Sequence, residues 1–161
     1  MIESFNEQDV SYVIVGGLAC VLHGHARLTV DVDFIVRLDT DNALKAVNAL
    51  IGLGYRSRAP VEPKEFADPK RREAWIREKG MTVLSFYNPG DPVVAVDLFV
   101  DYPVAYDLLL KRSEMKDLGG VQARVCSLDD LIAMKRRVGR PRDLEDVRIL
   151  ETIRSEQKKH S

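Results

Sequence analysis

The sequence predicts an α/β (α+β) fold: a mixed β-sheet flanked by helices and closed by two C-terminal helices. Three observations carry this expectation. Short apolar, β-branched runs alternate with stretches of helical apolar periodicity, the pattern of a sheet covered by helices. Two of the runs lie back to back around NPGD within residues 81–100, which reads as a hairpin and puts antiparallel pairing inside the sheet. From about residue 128 onward strand signals give way to two helical patterns. At 161 residues and 45% hydrophobic composition, one domain with a real core is expected over 1–161, its sheet core at about 12–126 and its closing helices at about 128–157.

Residues 2–9 read as a brief helix anchored by Phe5, and Tyr12 to Val15 as the first strand. Gly16-Gly17 turns the chain into a short helix at about Leu18 to Leu22, and after HGHAR a strand is expected from Leu28 to Val36. Asp39, Thr40 and Asp41 offer caps for a helix at about 41–52, in which Ala43, Leu44, Val47, Leu50 and Ile51 recur at helical spacing before Gly52 and Gly54. Tyr55 opens a short strand, and RSRAPVEPKEFADP, with its prolines, reads as a loop. Lys70 to Lys79 reads as a charged surface helix whose strong apolar contacts are Trp75 and Ile76. Strands follow at Met81 to Tyr87 and Val93 to Val100, the second so apolar that cover on both faces is expected. A helix at about 104–112, a turn at Gly119-Gly120, a strand at about 121–126 and helices at 128–138 and 142–157 complete the chain.

The carboxylates in this framework need explaining. Side chains alternate faces along a strand, so Asp31 and Asp33 share one side, roughly 6.5 to 7 Å apart at the backbone. Asp is depleted from strands and expensive to bury unpaired. Asp97 repeats the anomaly inside an otherwise apolar strand and is the third candidate ligand. In the first closing helix Leu128, Leu131, Ile132 and Val138 mark an inward stripe, and Lys135 falls on the same side. After Gly139, Pro141 takes a first helical position and puts Asp143 in the first turn. A site for Mg²⁺ and phosphate accounts for all of these together. Magnesium takes hard oxygen ligands, and two ions about 3.5 to 4 Å apart clamp the oxygens of an in-line displacement. Gly16-Gly17 lets phosphates approach the backbone, and Arg27 and Lys135 supply neutralising charge.

Bulk properties narrow the partners. Net charge is −1, so no global positive field recruits nucleic acid, although local patches can. The two cysteines, Cys20 and Cys126, form no CxxC pair and read as reduced thiols, and no apolar run approaches a membrane span or a secretory leader; a cytoplasmic address without membrane association is expected. His23 and His25 lack further Cys or His partners and read as loop residues rather than zinc ligands. Lys70-Arg71-Arg72 reads as a solvated helix face, with contact to an RNA acceptor as the sharper alternative.

Gly-Gly, then about ten residues, then R-x-T-x-D-x-D-F over 27–34, then a distant apolar-Asp-apolar strand, resembles the DNA polymerase β nucleotidyltransferase superfamily. Within it the chain is similar to the small AbiEii-like and minimal nucleotidyltransferases of bacterial toxin–antitoxin loci. The tail LDDLIAMKRRVGRPRDLEDVRIL resembles their closing motifs, and the likeness covers most of residues 12–150. The resemblance implies that Asp31 and Asp33 hold the metal ions and that Asp97 completes one metal site and helps activate the attacking hydroxyl. It implies that Gly16 and Gly17 form the phosphate turn with Arg27 and Thr29 beside the nucleotide, and that Lys135 and Asp143 match the later catalytic motifs. The reaction implied is transfer of a nucleoside monophosphate from an NTP, ATP among them, to a hydroxyl on RNA, tRNA included, or on protein, with release of pyrophosphate. A cognate toxin or antitoxin is the implied protein partner. One departure is visible: many members have Gly-Ser where this chain has Gly16-Gly17. Two other readings stay open on the residues alone. One is a catalytically silent module that binds a nucleotide or a partner protein, and the other is a metal-dependent phosphohydrolase using the same carboxylates.

Overall fold

The computed structural model describes residues 1–161 and contains one seven-stranded mixed sheet with helices around it. Helix α1 (Ile2–Glu7) leads into β1 (Tyr12–Val15), α2 (Gly16–Leu22), β2 (Asp31–Val36) and α3 (Thr40–Gly52). Then come β3 (Arg56–Ser57), a 3-10 turn (Pro63–Ala67), α4 (Pro69–Lys79) and the hairpin β4 (Val83–Asn88) and β5 (Asp91–Phe99). Helix α5 (Tyr106–Arg112), β6 (Glu114–Asp117), β7 (Gln122–Val125), α6 (Leu128–Val138) and α7 (Pro141–Lys159) finish the chain. The strand order is β3-β4-β5-β2-β1-β7-β6. β2 runs parallel to β5 and β1 parallel to β7, while the remaining neighbours are antiparallel.

The two faces of the sheet differ in chemistry because the strands are in register. On one face Tyr12, Ile14, Phe34, Val36, Leu84, Phe86, Val96 and Leu98 are buried. Phe5 of α1 packs there against Phe34 and Tyr12 with ring centroids 4.9 and 5.7 Å apart, and Tyr12 meets Phe34 edge-on. Helix α3 lies over the same side and is bolted down by one polar side chain. Buried Asn42 accepts from Ser11 N at 2.7 Å and donates to Ser11 O at 3.0 Å and Arg37 O at 2.8 Å. It thereby satisfies Ser11 N–H and Arg37 C=O, just outside β1 and β2, and gives Ser11 C=O a second donor beside Arg37 N at 3.0 Å. The other face carries Asp31, Asp33, Ala95, Asp97 and Phe99.

Local differences from the sequence reading have identifiable causes. The strand expected from Leu28 begins only at Asp31; Leu28 is 82% exposed, and residues 28–30 are irregular although Val30 O still accepts from Ala95 N at 3.2 Å. Helix α2 starts at Gly16 itself, without a separate turn, because Gly16 adopts a φ of +68° that bends strand directly into helix. The proline-rich loop contains β3 and the 3-10 turn, whose Phe66 is fully buried. In α4 Ile76 is exposed and Arg72 is buried instead, its guanidinium bonded to the Phe66 and Leu38 carbonyls and lying over the Phe66 ring; it is a structural pin rather than an RNA contact. Strand β5 is covered on one face only, since Asp97 and Phe99 look into an open cleft. Strand β6 was not legible in EMKD, a charged edge of the kind that discourages further pairing.

Replacement of Asn42 by Ala takes the partner from two part-buried backbone groups, Ser11 N–H and Arg37 C=O, and removes one of the two donors to Ser11 C=O. Unfolding by chemical denaturant is expected to show a loss of about 2 to 3 kcal/mol, against less than about 1 kcal/mol for a surface control such as exposed Asn48→Ala.

Candidate active site

Three carboxylates converge because two parallel strands are aligned. The β2–β5 register pairs Asp33 with Asp97 and Asp31 with Ala95, so all three acids project from one face, with Asp33 and Asp97 side by side on adjacent strands. Strand spacing of about 4.8 Å makes that juxtaposition unavoidable. Burial raises the Asp33 carboxyl to about 7, helped by the charges of Asp97 and Asp31 and by a hydrogen bond with Asp97, and opposed by a hydrogen bond from Gly17 N–H. The site therefore holds more negative charge than it can solvate near neutral pH.

The turn from β1 into α2 fits against this cluster. A Cβ on Gly16 would lie 2.1 Å from Asp33 Oδ2, and one on Gly17 would lie 2.5 Å from Thr29 Oγ1 and 3.2 Å from Thr29 Cβ. Glycine at both positions lets the backbone press against the carboxylate and the threonine. The Gly-Gly departure thus has a local reason: the Thr29 side chain already occupies the space that a residue 17 side chain would need.

The opposite wall is basic and comes from α6, α7 and the loop before β2. Asp146, 3% exposed, accepts from His25 Nε2 at 3.0 Å, from Lys135 Nζ at 2.7 Å and from Arg27 Nη1. Asp143 accepts from Lys135 Nζ at 3.3 Å and Arg140 Nε at 2.9 Å. Although burial alone would raise them, hydrogen bonds to the cations, from Arg140 and Lys135 to Asp143 and from Lys135 to Asp146, hold both carboxyls below the usual range. Burial pushes Lys135 down, but the Asp146 bond outweighs it and its ammonium ends above its ordinary value. Two carboxylates face three permanent cations here, Arg27, Lys135 and Arg140, so the wall keeps net positive charge toward the cleft. Arg142, exposed at the rim, donates to Leu28 O at 3.0 Å and ties the loop before β2 to α7.

Between these walls lies a cleft of about 510 Å³. Every residue singled out from the sequence lines it: Gly16, Gly17, Arg27, Thr29, Asp31, Asp33, Asp97, Lys135 and Asp143. Leu131, Met134, Lys135 and Val138 follow one another at helical spacing along its α6 side. Val138 is 57% exposed rather than inward-packed, because the stripe runs out of the core into the cleft mouth before it reaches that turn. Asp146 is the residue that the sequence reading missed. Its signal was present as the i+3 partner of Asp143 on the buried side of α7, where Val147 and Leu150 mark the core face. His25 is not a free loop residue but a partner of Asp146, and buried His23 bonds Cys126 O at 2.8 Å.

No three Asp, Glu, His or Cys side chains are already drawn together into a closed cage for a metal. The donor set nonetheless suits a hard divalent cation: three carboxylates on one open face, one of them driven toward protonation by burial and by the charges of the other two.

The fold has counterparts among known proteins. The model of the family described as "Nucleotidyl transferase AbiEii toxin, Type IV TA system" matches residues 3–159. Among curated proteins none matches the sequence. Among solved structures, the lincomycin-bound lincosamide antibiotic adenylyltransferase LnuA is similar with a TM-score of 0.62 at 14% identity, over 94% of this chain and 92% of that one. An antigenic nucleotidyltransferase-like protein from Paracoccidioides brasiliensis gives 0.58 at 20% identity over 94% and 71%. ANT(2")-Ia in complex with adenylyl-2"-tobramycin gives 0.56 at 13% identity over 99% and 94%. At these identities the structural likeness establishes the fold alone.

Asp33 is protonated in the folded chain up to about pH 7 but ionised in the unfolded chain above about pH 4, so the native state binds more protons across that window. Its contribution to stability is fully present below about pH 4 and is lost as pH rises to about 7. Thermal unfolding of the metal-free protein should show the melting temperature of Asp33→Asn exceeding that of the parent at pH 8, with the gap narrowing as pH falls and closing at about pH 4. Mg²⁺ should raise the parent's melting temperature at pH 8 and have little effect at pH 5. On the opposite wall, Asp146→Ala strips a buried acceptor from three donors and is expected to cost about 3 to 5 kcal/mol in denaturant unfolding, whereas Arg142→Ala at the rim should cost less than about 1 kcal/mol.

Proposed function

Because the chain belongs to the AbiEii nucleotidyl transferase family, we propose that it transfers a nucleoside monophosphate from an NTP to a hydroxyl of an RNA acceptor, releasing pyrophosphate. The observation that carries this reading is the pairing of Asp33 with Asp97 in register, with Asp31 on the same face, across a cleft from a basic wall. Acids on one side and cations on the other match an NTP that reacts at its α-phosphorus while its β- and γ-phosphates leave. Asp31, Asp33 and Asp97 would hold two Mg²⁺ ions, which supply charge neutralisation at the attacking and leaving oxygens. The Gly16-Gly17 turn brings backbone to the phosphates without an intervening side chain.

Thr29 and Arg27 stand beside that turn, and Lys135 faces the same space from α6. Asp146 holds Arg27 and Lys135 by their charged ends, so both are oriented before substrate arrives, and Asp143 fixes Lys135 from a second direction. Asp97 lies on the β4 side of Asp33, where an acceptor hydroxyl would approach, and a carboxylate there receives the hydroxyl proton as the new phosphodiester bond forms. An apolar border of Phe99, Met134 and Val138 gives the base a surface to lie against. The family name implies a toxin–antitoxin setting with a cognate antitoxin.

Incubation with each labelled NTP, Mg²⁺ and total RNA should release pyrophosphate and label RNA. Asp33→Asn and Asp97→Asn should each lower the rate by at least about 10³-fold, and chelation of divalent cations should abolish it. Unchanged labelling by both variants would contradict the assignment, and free monophosphate without labelled RNA would identify a phosphohydrolase instead.

A further inference from the structure

The face of the sheet that bears the carboxylates does not stop at Asp97. Strands β4 and β3 extend it on the far side of β5, and there Val83, Ser85 and Tyr87 are only half-buried, while Leu84 and Phe86 on the opposite face are fully buried. The register connects this open surface to the site. One row across the sheet reads Asp31, Ala95, Tyr87, Arg56, and the next reads Asp33, Asp97, Ser85. At about 4.8 Å per strand, the Tyr87 backbone lies about 10 Å from that of Asp31 on the same face.

The surface is aromatic and basic where it leaves the cleft. The Arg58 guanidinium lies 5.3 Å from the Tyr87 ring centroid, and Arg56 is the cross-strand neighbour of Tyr87. Both arginines are exposed and neither has a carboxylate partner. A ring standing on an open sheet beside unpaired arginines suits a splayed single strand, whose bases stack on aromatics while its phosphates meet the cations. A duplex would keep its bases in its own stack and offer the ring nothing.

We propose that the β3–β4–β5 face centred on Tyr87, with Arg56 and Arg58, is the platform on which the single-stranded end of a nucleic-acid acceptor lies, directing its terminal hydroxyl toward Asp97. Continuity with the cleft along the ladder rows, and charge complementarity to a phosphodiester chain, select this occupant over an extended peptide. The platform rests on the transferase reading for its role, but its binding is measurable without chemistry.

The test is the fluorescence anisotropy of a labelled single-stranded oligoribonucleotide of about eight nucleotides, with labelled-NTP binding by equilibrium dialysis run alongside. Tyr87→Ala should weaken oligonucleotide binding by at least about tenfold and Tyr87→Phe by less than about twofold, because stacking needs the ring and not the hydroxyl. Arg56→Ala with Arg58→Ala should weaken binding and flatten its dependence on salt. Oligonucleotide affinity unchanged in Tyr87→Ala, equal competition by duplex RNA, or labelling of a protein in place of RNA would each overturn the proposal. Failure of the parent to bind any NTP while oligonucleotide binding follows the expected pattern would overturn the transferase reading and leave the platform standing.

Discussion

The alignment of β2 with β5 governs the rest of the molecule. Once Asp33 stands beside Asp97, two like charges share a half-buried spot on a sheet, and every neighbouring feature relates to that repulsion. Gly17 N–H offers Asp33 a compensating donor, and Gly16 clears the space in which its carboxylate sits. A protein selected for stability alone would have placed valine at these positions, as it did at Val32 and Val96 on the covered face. Acids retained there supply the negative charge that the proposed cation site requires.

The basic wall solves the complementary problem. Lys135 and Arg27 would repel each other if brought together unaided, and Asp146 gathers them by accepting from both. The helices that carry these groups are themselves held in place. Arg112 of α5 grips Asp130 with bonds of 2.9 and 2.7 Å, and Ser127 caps α6 through Asp130 N, so the first turn of α6 is pinned at the end of β7. Gly139, at a φ of +68°, ends α6 and allows Pro141 to start α7 almost at once, which brings Asp143 and Asp146 back over Lys135. The short connection is what makes the wall a single unit.

Much of this was readable in the sequence, and the parts that were not have a common cause. Elements declared themselves wherever periodicity and punctuation agreed: α3 between Asp39 and Gly54, α6 up to Gly139, and β1 as a buried run. The three strand acids and the inward lysine stood out because each breaks the local chemistry of its own element. Misreadings fell where long-range packing decided: Ile76 was left outside while Arg72 went in, Val138 faced a cleft, Leu28 belonged to no strand, and β6 paired despite its charge. Local pattern carries no information about what stands opposite a residue.

By itself, then, the chain specified alternating strands and helices, the sharing of one strand side by Asp31 and Asp33, the suitability of Gly16 for a sharp bend, and an ammonium at 135 on the apolar side of its helix. Those follow from the period of two in a strand and 3.6 in a helix, which are properties of the backbone. Tertiary structure alone decided that β5 lies beside β2 in parallel register, that Asp146 is the acceptor joining Arg27, Lys135 and His25, and that the sheet face remains open beyond Asp97. Strand neighbours and buried ion partners are chosen by how distant segments pack and exclude water, and residues separated by 64 or 119 positions meet only when the whole core closes.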